Sequence, residues 1–294
     1  MTRRRKIITL VLAFVIIIGG IFFAGRFIHR SIHSKQYISS TTPTLFVHGW
    51  GSSYRAERQM VNYAKNEGVS NTVVRADVAK SGHVSWHGSI PRGARNPIIE
   101  VNLLDNKSIT SAKDNNAKGY QHVSRYVTDV VLAMQKKYHF QKMNLVGHSM
   151  GNMQIAYYIL DHGNDPHMPT LEKQVSIAGH YNGLNAIGNA KHYKIISQSL
   201  GKPNHMVSEY KGLLKLRHNY PQTAKVLNIY GDLKDGSHSD GQVPVNSAKS
   251  YKYLVKPRAK SYHELEITGR MGQHSKLHEN KQVDRALVNF LWKK

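Results

Sequence analysis

The pentapeptide Gly147-His148-Ser149-Met150-Gly151 constrains the fold more than any other feature of the 294-residue sequence. The apolar run Met143–Val146 before it is typical of a buried strand, and residues 149–162 after it have the pattern of a helix. Glycines on either side of the serine leave room for a tight turn at which neighbouring backbones approach closely. The flanks therefore predict a serine held at a strained strand–helix turn, and the alternative is an ordinary glycine-rich turn.

Segments typical of strands and of helices alternate along the rest of the chain. Strands are predicted at residues 44–47, 71–78, 97–104, 143–146, 173–178, 224–230 and 262–267, and helices at 54–68, 118–137, 149–162 and 281–292. Residues 79–96 are predicted to be a loop, and residues 184–220 a partly helical insertion that caps a pocket. The alternation predicts an α/β fold with a mostly parallel central sheet and helices on both faces.

The N-terminal segment has the character of a membrane anchor. Residues Ile7–Gly25 are 19 residues without a charge, and they follow the basic segment Arg3–Lys6. As a helix this run would be roughly 28 Å long, close to the thickness of a bilayer core. A cleaved signal peptide is the alternative, but the run is long for one and no good cleavage site follows it. We therefore predict an uncleaved anchor at residues 1–30, a tether at 31–42 and one folded domain at 43–294.

The charge distribution adds an orientation and a class of partner. The basic residues before the apolar run place the N-terminus in the cytoplasm, so we expect a single-pass protein of the cell membrane with its domain outside the cell. Residues 1–35 hold seven of the 41 basic residues and none of the 18 acidic ones, which leaves a charge of +16 on the remainder. Such a field attracts anionic lipid or an acidic wall polymer, although a merely solvated basic surface is the alternative. Nucleic acid is not expected, because no nucleic-acid-binding motif is found.

The sequence contains no cysteine, which excludes disulfides, thiol nucleophiles and cysteine metal sites. A serine nucleophile needs a base that is itself oriented by an acid. The acid is expected after a late strand, where Asp240 lies in a turn that can bring its carboxylate back over the sheet edge. Asp232, directly after that strand, is the alternative acid. A calcium loop of Asp235, Ser237 and Asp240 is a weaker alternative, because its spacing does not match an EF-hand.

The base is expected between the last strand and the last helix. His274 comes first in that segment, and His278 follows four residues later. Two histidines with this spacing could also bind a metal, but the helical glutamate of a zinc-protease motif is missing. His274 is therefore the predicted base, with His278 as the alternative.

An oxyanion formed at the serine needs two backbone N–H donors. The residue after the nucleophile, Met150, supplies one of them. The segment His48-Gly49-Trp50-Gly51 ends the first predicted strand, and the N–H of Trp50 is the candidate for the other. The Trp50 side chain itself is expected only to pack against its neighbours, and the N–H role does not depend on it.

These motifs together resemble an alpha/beta hydrolase of the lipase and esterase group. The segments Asn182-Gly183, Ser239-Asp240-Gly241 and 274–280 are similar to a family of alpha/beta hydrolases from low-GC Gram-positive bacteria, often called membrane-bound cell surface hydrolases. The resemblance covers about residues 44–292. One departure is Gly179-His180-Tyr181, where a proline–aromatic pair is expected before Asn-Gly, and it puts the pocket shape in question.

The resemblance implies carboxylesterase activity on short acyl esters, without a cofactor or a metal. It implies a triad of Ser149, Asp240 and His274, with Trp50 and Met150 at the oxyanion hole. Gly147, His148 and Gly151 then build the nucleophile elbow. The expected function is that of a membrane-anchored serine hydrolase acting outside the cytoplasm. The alternatives are cleavage of a thioester or an amide, and a catalytically idle hydrolase fold that binds an anionic envelope polymer.

Overall fold

An eight-stranded sheet lies at the centre of the computed structural model, which describes residues 3–109, 116–186 and 190–294. The strands are β1 (Thr44–Val47), β2 (Val73–Val78), β3 (Val84–His87), β4 (Ile98–Leu103), β5 (Lys142–His148), β6 (Thr170–Ile177), β7 (Ile195–Ser197), β8 (Lys202–Pro203), β9 (Lys225–Asp232) and β10 (Ser261–Thr268). The helices are α1 (Arg3–Ser34), α2 (Arg58–Asn66), α3 (Ala117–Tyr138), α4 (Met150–His162), α5 (Ser208–Gly212), α6 (Leu216–Asn219), α7 (Val245–Lys249), α8 (Tyr251–Val255) and α9 (Lys281–Trp292).

The large sheet has the strand order β10-β9-β6-β5-β1-β4-β2-β3. Every neighbouring pair is parallel except β2 and β3, which are antiparallel. The prediction of a mostly parallel sheet is confirmed. Because parallel strands point the same way, the ends of β1, β5, β6, β9 and β10 meet at one edge, called the carboxyl edge below, and the opposite edge is called the amino edge.

Helices cover both faces of the sheet, as the alternating pattern predicts. Side chains alternate along β1, so that Leu45 and Val47 join one apolar cluster while Phe46 joins the other. The first cluster includes the buried faces of α3 and α4, and the second includes those of α2 and α9. Helices thereby cover both faces of the sheet, and the ends of the strands are the places where a ligand can reach it.

The N-terminal segment connects to the amino edge. Tyr37 bridges to Lys293, the N–H of Ile38 donates to the carbonyl of Trp292 at 2.7 Å, and Thr42 is buried. Of the predicted tether at 31–42, residues up to Ser34 belong to α1, and Tyr37, Ile38 and Thr42 contact the domain. Over the parts of the chain that the structure describes, no helix combines the length and the apolar character required to cross a membrane.

The structure differs from the sequence-based expectation in three other places. The predicted loop at 79–96 contains β3, an edge strand that pairs only with β2. Two short helices, α7 and α8, follow Pro244 and were not predicted. In the predicted cap at 184–220, residues 187–189 lie outside the described residues, and the last part packs into the main core through Tyr210, Leu213, Leu216 and Tyr220.

Candidate active site

Ser149 lies at the sharp turn between β5 and α4, with φ of 51° and ψ of −122°. A non-glycine residue with positive φ costs roughly 1–3 kcal/mol, so the surrounding structure must hold it in place. A Cβ atom on Gly151 would lie 2.2 Å from the carbonyl oxygen of Val47, and one on Gly147 would lie 2.5 Å from Oδ1 of Asn152. A side chain at position 151 would therefore meet backbone that cannot move aside, and one at position 147 would displace the buried side chain of Asn152, which is the physical reason for glycine at both positions.

Three predicted residues form a continuous series of hydrogen bonds. Nε2 of His274 lies 3.0 Å from Oγ of Ser149, and Nδ1 of the same ring lies 2.8 Å from Oδ2 of Asp240. The other carboxylate oxygen of Asp240 accepts the N–H groups of Gln242 at 2.9 Å and Val243 at 2.7 Å. All three catalytic candidates are buried. Since the carboxylate accepts from Nδ1–H, Nε2 is left as the acceptor for the serine hydroxyl, which is the tautomer that a general base needs.

The alternative residues have other partners. Asp232 accepts the backbone N–H of Lys234 at 2.8 Å and its ammonium at 2.9 Å, which ties the carboxylate to its own turn. The ring of His278 lies edge-on against that of His148, with 4.8 Å between their centroids, and its Nδ1 has no hydrogen-bond partner among the described residues. Asp235 accepts from the N–H of Ser237 on the exposed side of the loop. Across the described residues, no group of three or more histidines and carboxylates is arranged to hold a metal ion.

The loop after β1 passes directly beside the serine. A Cβ on Gly49 would lie 3.0 Å from Cβ of Ser149. In the described part of the chain, the N–H of Trp50 has no acceptor, whereas the next N–H, that of Gly51, donates to Asn106 at 2.9 Å. Met150 is the first residue of α4, where N–H groups have no acceptor within the helix. The two predicted oxyanion donors thus flank the serine on unpaired backbone positions.

The Trp50 side chain has a separate, structural contact. Its indole N–H donates to the carbonyl of Ile109 at 2.7 Å, and the ammonium of Lys107 lies over the ring at 5.5 Å. The ring remains half exposed. An N–H role for Trp50 therefore does not depend on this side chain.

Two neighbouring histidines, His48 and His148, hold the backbone around the serine. His148 was predicted in the nucleophile elbow, but no hydrogen-bond partner was predicted for either ring. His48 accepts the N–H of Leu103 at Nε2 and donates from Nδ1 to the carbonyl of Gly49, at 3.0 and 2.8 Å. His148 donates from Nε2 to the carbonyl of His274 at 3.2 Å. Burial lowers the pKa of both rings, and nearby imidazoles lower that of His148 further. Both histidines belong to the recognised motifs His48-Gly49 and His148-Ser149. Their hydrogen-bond partners lie far away in the sequence, so the motifs alone do not reveal them.

His180 is a third histidine close to the site. It follows β6, whose last residue, Ile177, accepts the N–H of Ser149 at 3.0 Å. The side chain is 2% exposed, and within the described ranges its Nδ1 has no hydrogen-bond partner on another residue. Burial and the charge of His274 lower its pKa to about 4. The ring is therefore neutral at physiological pH.

The chain resembles known proteins over most of its length. The family described as alpha/beta hydrolase of unknown function (DUF915) matches residues 31–294. Among solved structures, the product of the gene lin2722 of Listeria innocua has a TM-score of 0.75 at 25% sequence identity, over 86% of this chain and 94% of that one. A proposed cell surface hydrolase of Lactobacillus plantarum WCFS1 has a TM-score of 0.66 at 20% identity, over 86% of this chain and 91% of that one. Curated proteins give no match.

Proposed function

Since the chain belongs to the family of alpha/beta hydrolases of unknown function (DUF915), we propose that it is a serine hydrolase that cleaves carboxylic esters of short acyl groups. The observation that carries the proposal is the hydrogen-bonded series from Ser149 through His274 to Asp240. These residues come from three different loops of the carboxyl edge, so their alignment is a product of the whole fold. A buried imidazole between a hydroxyl and a carboxylate is the arrangement that activates a serine.

In the proposed mechanism Oγ of Ser149 attacks the ester carbonyl while Nε2 of His274 takes its proton. The carbonyl oxygen becomes negative and is held by the N–H groups of Trp50 and Met150, an interaction that is worth about 100- to 1,000-fold in rate per donor. His274 then passes the proton to the leaving alcohol, which leaves an acyl group on Ser149. Water activated by the same imidazole releases that group. Asp240 holds the ring in its tautomer and stabilises its charged form.

A fluorophosphonate tests the proposal, because it reacts with an activated serine and not with an ordinary one. We expect labelling of the full chain at Ser149 and release of butyrate from a short ester. Ser149→Ala is the matched control and should lose both. Parallel assays with a thioester and an amide of the same acyl group measure which bond is cleaved fastest. A folded protein that neither labels nor hydrolyses would contradict the proposal and favour the catalytically idle alternative.

We also propose that the protein is a single-pass protein of the cell membrane, with the N-terminus inside and the domain outside. This proposal rests on the uncharged sequence Ile7–Gly25 and the basic residues before it. A protease added to intact cells should then digest the domain. In a separate sample without protease, carbonate washing should leave the protein with the membranes. Release into the wash would contradict an anchor.

The amino edge suggests an anionic polymer of the cell envelope or anionic lipid as a partner. A cavity of about 400 Å³ lies there, lined by Arg92, Lys137 and Tyr138 among others. No carboxylate lies within 4 Å of either cation in the described part of the chain, and both are exposed. The ammonium of Lys137 lies over the rings of Trp86 and Tyr138, at 5.4 and 5.3 Å, so neither cation is neutralised by an acid. Exposed cations of this kind on a body of charge +16 favour a polyanion.

A further inference from the structure

Large apolar side chains are exposed along α1. Among its described side chains, those of Leu10, Phe14, Ile16 and Phe23 are each 64–74% exposed. A large apolar surface of this kind marks contact with a membrane or with another protein. In the proposed anchor the bilayer covers it, and the end of α1 at Ser34 then fixes where the domain begins.

The connection between α1 and the domain has no slack. The N–H of Tyr37 donates to the carbonyl of Ser34 at 3.3 Å, which turns the chain directly after the helix. The carbonyl of Gln36 accepts the N–H of Lys294 at 3.2 Å, so only Lys35 lies between α1 and the first residue bonded to the domain. The amino edge is therefore held beside the end of α1.

The lengths of the helix and the strands set the distance of the serine from the membrane. Residues 26–34 of α1 follow the apolar run and rise about 13 Å, of which the headgroup layer fills about 5–8 Å. The amino edge therefore lies close to the headgroups. When this edge faces the membrane, the length of β5 places Ser149 about 20 Å further away.

Exposed cations lie along the amino edge from one end to the other. Lys225 begins β9, and Lys260 directly precedes β10, its parallel neighbour. Within the described residues neither ammonium has a carboxylate within 4 Å. Arg92 and Lys137 lie at the other end of the edge, and Glu172, an acid of the same edge, is already paired with a lysine at 2.7 Å. Such an edge, held beside headgroups, is attracted to anionic lipid.

We propose that the amino edge lies on the anionic surface of the membrane that holds α1, which turns the carboxyl edge and Ser149 away from the bilayer. This inference rests on the proposed anchor and the proposed activity. It assigns a class of substrate, namely esters that are soluble or are carried by molecules outside the bilayer. A membrane lipid would have to rise about 20 Å to reach the serine. Each methylene that leaves the hydrocarbon lowers the population of such a lifted lipid about fourfold.

Energy transfer from a single dye to acceptor lipids measures the orientation. The sequence contains no cysteine, so Gln222→Cys before β9 and Lys107→Cys after β4 each accept one dye at an exposed position. In vesicles of zwitterionic and anionic phospholipid that hold the full chain, position 222 should transfer more energy than position 107. The difference in height should be about 20 Å. Equal heights, or a lower position 107, would overturn the orientation.

Charge reversal tests the contact with anionic lipid. Lys225→Glu combined with Lys260→Glu should reduce the difference in height, because the domain then tilts on its short connection. Wild-type chain in vesicles without anionic lipid should show the same reduction. Lys118→Glu combined with Arg270→Glu makes an equal change of charge at exposed positions of the carboxyl edge and should keep the full difference. A full difference in the amino-edge variant would overturn the contact with anionic lipid.

Two butyrate esters test the class of substrate. Glyceryl monobutyrate is soluble, whereas the butyrate ester of a dialkyl glycerol stays in the bilayer. The full chain in vesicles should hydrolyse the lipid ester at least about tenfold more slowly than it does in detergent solution, where no bilayer holds the ester. The soluble ester should be hydrolysed equally well in both. Equal rates for the lipid ester would overturn the class of substrate.

The failures of the separate proposals have different signatures. Loss of the labelled chain from the vesicles refutes the anchor and the orientation together. A retained, active chain with equal heights refutes the orientation alone. A retained chain that has the expected heights but hydrolyses neither ester refutes the proposed activity and leaves the orientation supported.

Discussion

The two edges of the central sheet carry ionisable groups in opposite ways. At the carboxyl edge, Ser149, Asp240 and His274 are buried and paired with one another. At the amino edge, Arg92 and Lys137 are exposed and have no acidic partner within the described residues. Between buried groups the interaction energy is large and changes steeply with distance, because the local dielectric constant is low. Exposed groups act on distant charges through an electric field that salt screens. The same fold thus keeps the proposed site for chemistry apart from the proposed surface for attraction.

The largest expected effect concerns two aspartates, Asp232 at the end of β9 and Asp240 in the loop that follows it. Asp240→Asn should lower kcat/KM by about 10⁴-fold, because an amide cannot hold the imidazole in the required tautomer. Asp232→Asn should lower kcat/KM by less than about tenfold, because Asp232 binds Lys234 and lies outside the hydrogen-bonded series. Its ion pair has an exposed lysine, and such pairs contribute little. Steady-state hydrolysis of a short ester measures both variants. If Asp232→Asn instead had the larger effect, Asp232 would be the acid of the triad, and the hydrogen bond between Asp240 and His274 would no longer identify it.

A smaller loss is expected when the support of the base is removed. His148→Phe keeps a ring of similar shape but leaves the carbonyl of His274 without its donor. The unpaired carbonyl costs about 1–3 kcal/mol, and a shift of the loop should lower kcat/KM by about ten- to 100-fold. His148→Gln can donate again and should recover part of the activity. Equal losses in both variants, with equal thermal midpoints, would mean that His148 acts by packing alone.

The sequence predicts the carboxyl edge better than the details around it. The apolar runs before Ser149 and before Asp232 predict strands, and the strand–helix alternation predicts the parallel order, since each depends on local pattern. The pairing of His148 with His274 joins residues 126 positions apart and has no local signal. The edge strand β3 was missed because its residues are half exposed and it pairs on one side only. The family resemblance is confirmed by the match to residues 31–294.

Stability gives a third test, because the carboxyl edge also contains a buried acid without a partner. Glu57 ends the short helical turn before α2 and is 1% exposed, and neither of its carboxyl oxygens makes a hydrogen bond to a residue that the structure describes. Burial, and then the charge of Glu100, raise its pKa from 4.5 to about 8. The folded state therefore holds this proton more tightly than the unfolded state, so the contribution to stability is complete below pH 4.5 and is lost as the pH rises through 8.

Glu57→Gln removes this titration. The thermal midpoint of the variant should exceed that of the wild type by at least about 2 °C at pH 9, and the difference should shrink towards pH 5. Calorimetry in buffers of constant ionic strength measures both proteins over this range. A constant difference at every pH would contradict the raised pKa and would point to packing instead.

The smallest effect on chemistry is expected at the amino edge. Strands of about six residues separate this edge from the serine by about 20 Å. That distance is about two Debye lengths at 0.1 M salt, so the charge at the amino edge is screened from the serine. Lys137→Glu should therefore change kcat/KM for a small uncharged ester by less than about twofold. Retention of the full chain on an immobilised polyphosphate should fall clearly, and the loss should vanish at high salt. Lys107→Glu, which makes the same change of charge beside Trp50 at the carboxyl edge, is the matched control. If both variants lose the same retention, the whole basic body and not the amino edge attracts the polymer; if Lys137→Glu instead impairs ester hydrolysis, the separation of the two edges is wrong.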